Sequence, residues 1–172
     1  MATLINEQRI VADSWRLLSR GPKGELPGVP VQGDVIVPLA LWLEHRDAFL
    51  AYPGKLGVWL DANEGPEAIA DDLQRFTLIA VNFPKFGDGR GYSIARLLRE
   101  RYGYKGELRA IGDVLHDFLY FMKQCGFDSF ALRDDQDVNE ALAAFDTFSD
   151  GYQTSVLRPV PLFRRRFSAA KR

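Results

Sequence analysis

A chain of 172 residues with 47% hydrophobic and 26% charged side chains and a net charge of −1 fits one domain with a covered sheet and lies outside the compositions typical of disordered or fibrous proteins. No apolar run approaches the roughly 20 residues of a bilayer span, and Asn6, Glu7 and Gln8 stand where a signal peptide needs its apolar centre, so a cytoplasmic protein is expected. One cysteine, Cys125, and two histidines, His45 and His116, exclude an intramolecular disulfide and fall short of the ligand sets of iron–sulfur and structural zinc sites.

In chain order, residues 1–34 read as an N-terminal extension. Arg9 to Leu18 has room for a short strand, and Gly21 to Gly33, with Pro22, Gly24, Pro27, Gly28 and Pro30, reads as a loop. Asp34 to Pro38 is the first strand of an α/β domain spanning residues 35–157, and a helix is expected from about Leu39 to Ala51. Lys55 to Leu60 is the next strand, and a helix opens at Pro66, a residue suited to a first turn, with Ile69, Leu73 and Phe76 on one face. Thr77 to Asn82 is apolar at nearly every position, as a strand buried on both faces is.

Tyr92 to Tyr102 is the clearest helix, with Ile94, Leu97, Leu98 and Tyr102 on one stripe and Gly103 as its stop. Glu107 to Gly112 is a strand. Leu115, Phe118, Leu119 and Met122 form the next helical stripe, ended by Gly126, and Ser129 to Arg133 is a strand. The last helix opens with Asp137 three residues before Glu140, a capping-box spacing, and is expected to bury Ala141, Leu142, Phe145 and Phe148. This alternation predicts an open, doubly wound parallel sheet of about five strands with helices on both faces; an incomplete barrel-like half is the alternative.

The charge is uneven. Residues 158–172 form a basic tail with six cations (Arg158, Arg164, Arg165, Arg166, Lys171, Arg172) and no carboxylate, while the other 157 residues carry 16 basic against 23 acidic side chains. Such a tail is either solvated chain or a docking segment for an acidic partner. No basic stripe interleaved with aromatics is present, and Trp15, Trp42 and Trp59 read as core, so no nucleic-acid partner is expected.

Ligands of open parallel sheets bind beyond the carboxyl ends of the strands, which here gathers Asp61, the loop Phe83 to Gly91, Asp113, Arg133, Asp134 and Asp135. In the loop, Gly87, Gly89 and Gly91 permit close backbone approach, the following helix start favours an anion, and Lys85, Arg90 and Arg96 supply charge. The candidate oxyanion site is Lys85, Gly87, Asp88, Gly89, Arg90, Gly91, Ser93, Arg96 and Asp113. The spacing matches neither the phosphate loop nor the dinucleotide fingerprint, and a tight turn with Asp88 paired to Arg90 or a neighbour is the competing reading. Asp61, Asp113 and Asp134 suggest a hard cation, but Asp113 precedes a helix and reads better as its cap, so no metal site is expected. Cys125, at a helix end, reads as core filler; His116 with Asp117 beside it has the chemistry for acid–base work, and an exposed helix face explains the pair equally well. No catalytic constellation stands out.

The motifs DGRGYS (Asp88 to Ser93), ARLLRER (Ala95 to Arg101), GELRAIGDVL (Gly106 to Leu115) and CGFDSF (Cys125 to Phe130) closely resemble those of the bacterial family called domain of unknown function 934, over most of Val35 to Thr154. The resemblance implies a role beside the haemoprotein subunit of assimilatory sulfite reductase, since family members are commonly encoded next to it and described as oxidoreductase candidates of sulfite reduction. Phe118 stands where the family often has Gln. The family brings no established catalytic residues. The low cysteine and histidine count favours an accessory partner of the haemoprotein with no cofactor; the lesser alternative is an oxidoreductase or oxyanion-binding enzyme, with non-covalent flavin at most, because Val37-Pro38-Leu39 lacks the phosphate loop of a flavodoxin.

Overall fold

A computed structural model describes residues 3–148 and 151–169. Eight strands form one sheet: β1 (Thr3–Asn6), β2 (Arg9–Ala12), β3 (Arg16–Leu17), β4 (Val35–Pro38), β5 (Leu56–Leu60), β6 (Leu78–Phe83), β7 (Glu107–Gly112) and β8 (Ser129–Phe130). Their spatial order is β2-β1-β8-β7-β6-β5-β4-β3. From β3 to β8 every neighbour is parallel and consecutive in sequence, whereas β1 pairs antiparallel with both β8 and β2. The result is the expected α/β parallel sheet in its half-barrel form, open and curled. A doubly wound sheet reverses its strand order at a switch point; an unreversed order with crossovers of one hand stacks the helices on one side.

The core shows that side directly. Val35, Val37, Leu56, Val58, Leu60, Ile79, Val81, Phe83, Leu108 and Ala110 alternate along their strands and join one large buried cluster with the helices. The opposite parity (Ile36, Trp59, Leu78, Ala80 and Ile111) forms a small second cluster with Trp15 and Ala131. The helices on the large-cluster face are α1 (Leu39–Glu44), α2 (Arg46–Leu50), α3 (Arg90–Arg96), α4 (Leu119–Gln124) and α5 (Val138–Ala143), with a 3₁₀ helix over Pro66–Arg75. A last helix, α6, spans Leu162–Ala169.

Several elements depart from expectation in detail. The predicted helix 39–51 is broken at His45, whose backbone leaves the helical region while its N–H still bonds Leu41 O. The clearest predicted helix begins at Arg90 and finishes as a π-turn over Leu97–Arg101. That turn carries Arg99, whose guanidinium donates to Gly126 O, Tyr104 O, Gly106 O and the Asp128 carboxylate. The expected strand 129–133 keeps only its first two residues in the ladder, although Ala131 N still bonds Ala110 O. Asp137 caps α5 as its spacing predicts, accepting from Asn139 N and Glu140 N. Ala141 and Phe145 are buried, but Phe148 is 59% exposed because a 3₁₀ turn over Ala144–Asp146 ends the helix before it.

The N-terminal extension is more ordered than its sequence suggests. Glu7 and Gln8 both adopt positive φ (46° and 61°) and form the two-residue turn between β1 and β2. Neither residue favours that conformation. The turn is held from outside, since Glu7 N donates to Asp128 O and Lys123 Nζ donates to the Gln8 side chain. Gly21 to Gly33 contains no helix or strand, as expected. No helix among the described residues is long and apolar enough to cross a membrane.

Candidate functional site

The carboxyl ends of β5, β6 and β7 place polar residues on the face opposite the helices. Asn82 has the parity of Leu78 and Ala80, and Asp61 that of Trp59, so the two side chains meet across the sheet: Asn82 Nδ2 donates to Asp61 Oδ1 at 3.0 Å. Asp61 Oδ1 also receives Ala62 N, and Glu64 Oε2 receives Asp61 N at 2.8 Å. Glu64 is paired in turn with Arg20, whose guanidinium lies 4.8 Å over the Trp59 ring. The Trp59 indole N–H donates to Leu18 O. Arg20 and Leu18 thereby fasten the N-terminal extension over the edge of the half-barrel.

The glycine loop is pinned to the same edge. Asp88 N donates to Lys85 O, and Asp88 accepts the Arg90 N–H and two guanidinium bonds at 2.9 and 2.6 Å. This bidentate contact holds the Asp88 carboxyl down at about 2. At the loop's other anchor, Phe86 N donates to Asp113 Oδ2, while Asp113 Oδ1 accepts from Arg133 at 2.7 Å. Arg133 also grips Asp135 with two bonds, which lowers Asp135 to about 2. Gly91 is required by packing, because a β-carbon there would come within 2.6 Å of the Phe83 ring.

Lys85, Gly87, Asp88, Gly89, Arg90, Gly91 and Asp113 therefore belong to one edge of the sheet. The competing reading of the loop is realised in its pairing, with Asp88 bound to Arg90. Ser93 and Arg96 line a cleft between α3 and α4, and Arg96 donates to Glu100 at 3.0 Å. Asp113 is not a helix cap: the 3₁₀ helix starts at His116 after Leu115, with no side-chain cap, because Asp113 is occupied by Phe86 and Arg133. Among the described residues, no group of three or more His, Cys, Asp or Glu is arranged to hold a metal ion.

Cys125 is buried and fills core, and desolvation pushes its thiol up. His116 Nδ1 lies 2.6 Å from Gln136 Oε1, and Nε2 lies 3.2 Å from Asp117.

Two features went unmarked by sequence reasoning. Arg109 is 3% exposed and bonds both Asp13 and Glu107 on the face away from the helices. Its signal was available as a cation alternating with Leu108 and Ala110. The second is the pair Tyr92 and Tyr120, whose hydroxyls are shielded from water and have no hydrogen-bond partner among the described residues; nothing in a helical stripe distinguishes such a phenol.

No curated protein and no solved structure matches the chain. The model of one protein family does, over residues 57–163, a span that runs from β5 through the glycine loop, β7 and β8 into α6. The chain belongs to the domain of unknown function 934 family, described as bacterial proteins of unknown function.

Proposed function

We propose that this protein is an accessory component of assimilatory sulfite reduction that acts with the sulfite reductase haemoprotein and has no metal redox centre of its own. The pathway is what the resemblance implies, and the chain's single cysteine and two histidines suit a partner rather than a carrier of electrons. The observation that supports docking is the C-terminal segment. Leu157, Val160 and Phe163 are about half exposed, in a stretch that also contains Arg158, Arg164, Arg165 and Arg166. Exposed apolar side chains among cations fit a protein surface of opposite charge, where the charge speeds encounter and the apolar groups hold the complex.

The test is growth on sulfate as sole sulfur source, together with co-purification of the tagged full-length chain with the haemoprotein. Deletion should impair growth, and Phe163→Asp should abolish co-purification while leaving the fold intact by circular dichroism. Normal growth and normal reductase activity in the deletion strain would refute the proposal. The alternative, sulfite binding at the glycine loop, requires the anion to displace Asp88 from Arg90, so calorimetry with sulfite on the wild type and on Asp88→Asn distinguishes the two readings.

A further inference from the structure

A sizeable cleft lies away from the sheet edge. Tyr92 and Arg96 on α3 face Tyr120 and Phe121 on α4 across a cleft of about 800 Å³, and Phe148 with residues 151–155 makes the third wall. This is within the range of sites that hold small molecules. Its walls are aromatic pairs in edge-to-face contact: Tyr92 with Phe121 at 4.9 Å and Tyr120 with Phe148 at 5.2 Å.

Its chemistry is set by what can donate. Among the described lining residues Arg96 is the one charged side chain and no carboxylate is present, in a chain with 23 acidic residues. Arg96 gives one N–H to Glu100 at the half-exposed rim and has others to offer. The hydroxyls of Tyr92 and Tyr120 are buried donors without an acceptor among the described residues, an unfavourable condition in the ligand-free chain. Burial pushes the Tyr92 phenol up, which keeps it protonated and able to donate. The third wall covers Tyr120, since a β-carbon on Gly151 would lie 3.2 Å from its hydroxyl, so binding through this hydroxyl requires the Tyr120 ring to rotate toward the cleft, a rotamer change of the kind common on binding.

We propose that this cleft binds a planar aromatic monoanion, with the ring among Phe121, Phe148 and Tyr152 and the oxyanion accepting from Tyr92, Tyr120 and Arg96. The site is independent of the haemoprotein reading and stands or falls separately from it.

The experiment is calorimetric titration of the full chain with naphthalene-2-carboxylate and with its neutral isostere naphthalene-2-carboxamide. The carboxylate should bind saturably and at least about tenfold more tightly, the usual scale of a charged hydrogen bond. Tyr92→Phe and Tyr120→Phe should each weaken it by about five- to tenfold without lowering the melting temperature, because the lost hydroxyls were unpaired. Arg96→Gln should weaken the carboxylate and leave the amide unchanged. Equal affinities for acid and amide, no saturation at millimolar probe, or Tyr→Phe variants that bind like wild type would each overturn the assignment.

Discussion

The Cα of Gly112 faces the side-chain oxygen of Asn82 so closely that a β-carbon added to it would lie 2.4 Å from Oδ1 and 2.5 Å from Phe83 O. Gly112 also has φ +90°, a conformation that L side chains rarely adopt. The glycine therefore permits both the turn out of β7 and the placement of Asn82 against Asp61. Gly112→Ala should destabilise the protein by about 2 kcal/mol or more, measured by urea unfolding. An unchanged midpoint would show that the edge relaxes freely.

Arg109 is a cation buried between two carboxylates, Asp13 from the N-terminal extension and Glu107 on its own strand. Removing one partner of a buried ion pair leaves the other charge uncompensated. Arg109→Met, which leaves Asp13 and Glu107 together without their cation, should cost about 3 kcal/mol or more, whereas adding Asp13→Leu as a double variant should recover part of that loss. Additive losses in the double variant, read from denaturant titrations, would contradict this coupling.

The Asp88 carboxyl, held by Arg90, titrates at about 2 in the folded chain, against about 3.9 for an unperturbed aspartate. Because the folded value is depressed, the pair favours the native state above pH ~4. That contribution disappears as pH falls through the native value. Carboxyl-carbon NMR of Asp88 should show this low midpoint, and Arg90→Gln should move it up toward the ordinary range. A midpoint indifferent to Arg90 would mean the contact does not persist in solution.

Cys125 is buried, and desolvation keeps its thiol above the usual cysteine range. Reaction with a disulfide reagent such as dithiobisnitrobenzoate at pH 8 should be slow in the native chain and about a thousandfold faster or more in urea, the span expected if reaction requires global opening. Rapid native labelling would place the thiol at a surface.

Legibility followed the physics of each segment. The central strands were readable because runs such as Leu78 to Val81 are apolar throughout and glycine stops such as Gly103 and Gly126 adopt positive φ, but their unreversed order was not, since doubly wound and half-barrel sheets share the same β-α alternation. The β1–β2 hairpin was hidden because Glu7-Gln8 lacks the asparagine or glycine that marks such a turn, and its conformation is imposed by Asp128 and Lys123 from distant sequence. At the edge, the tight-turn reading of the glycine loop anticipated the pairing of Asp88 with Arg90, but Asp113 was assigned to a cap, since a tertiary partner such as Arg133 leaves no local signature. The α3–α4 cleft was illegible for a related reason: its walls come from three separated stretches of chain.

The placement of β1 beside β8 bears on how the chain acquires its shape. Ile5 lies opposite Phe130 and Asn6 opposite Ser129, so β1 has no neighbour on that side until the distant segment that carries β8 has been made. Pairings so remote in sequence form slowly. Until then the β1–β2 hairpin, whose Ile10 and Val11 stay partly exposed even in the finished molecule, presents an unpaired apolar edge, the kind of stretch where premature self-association starts.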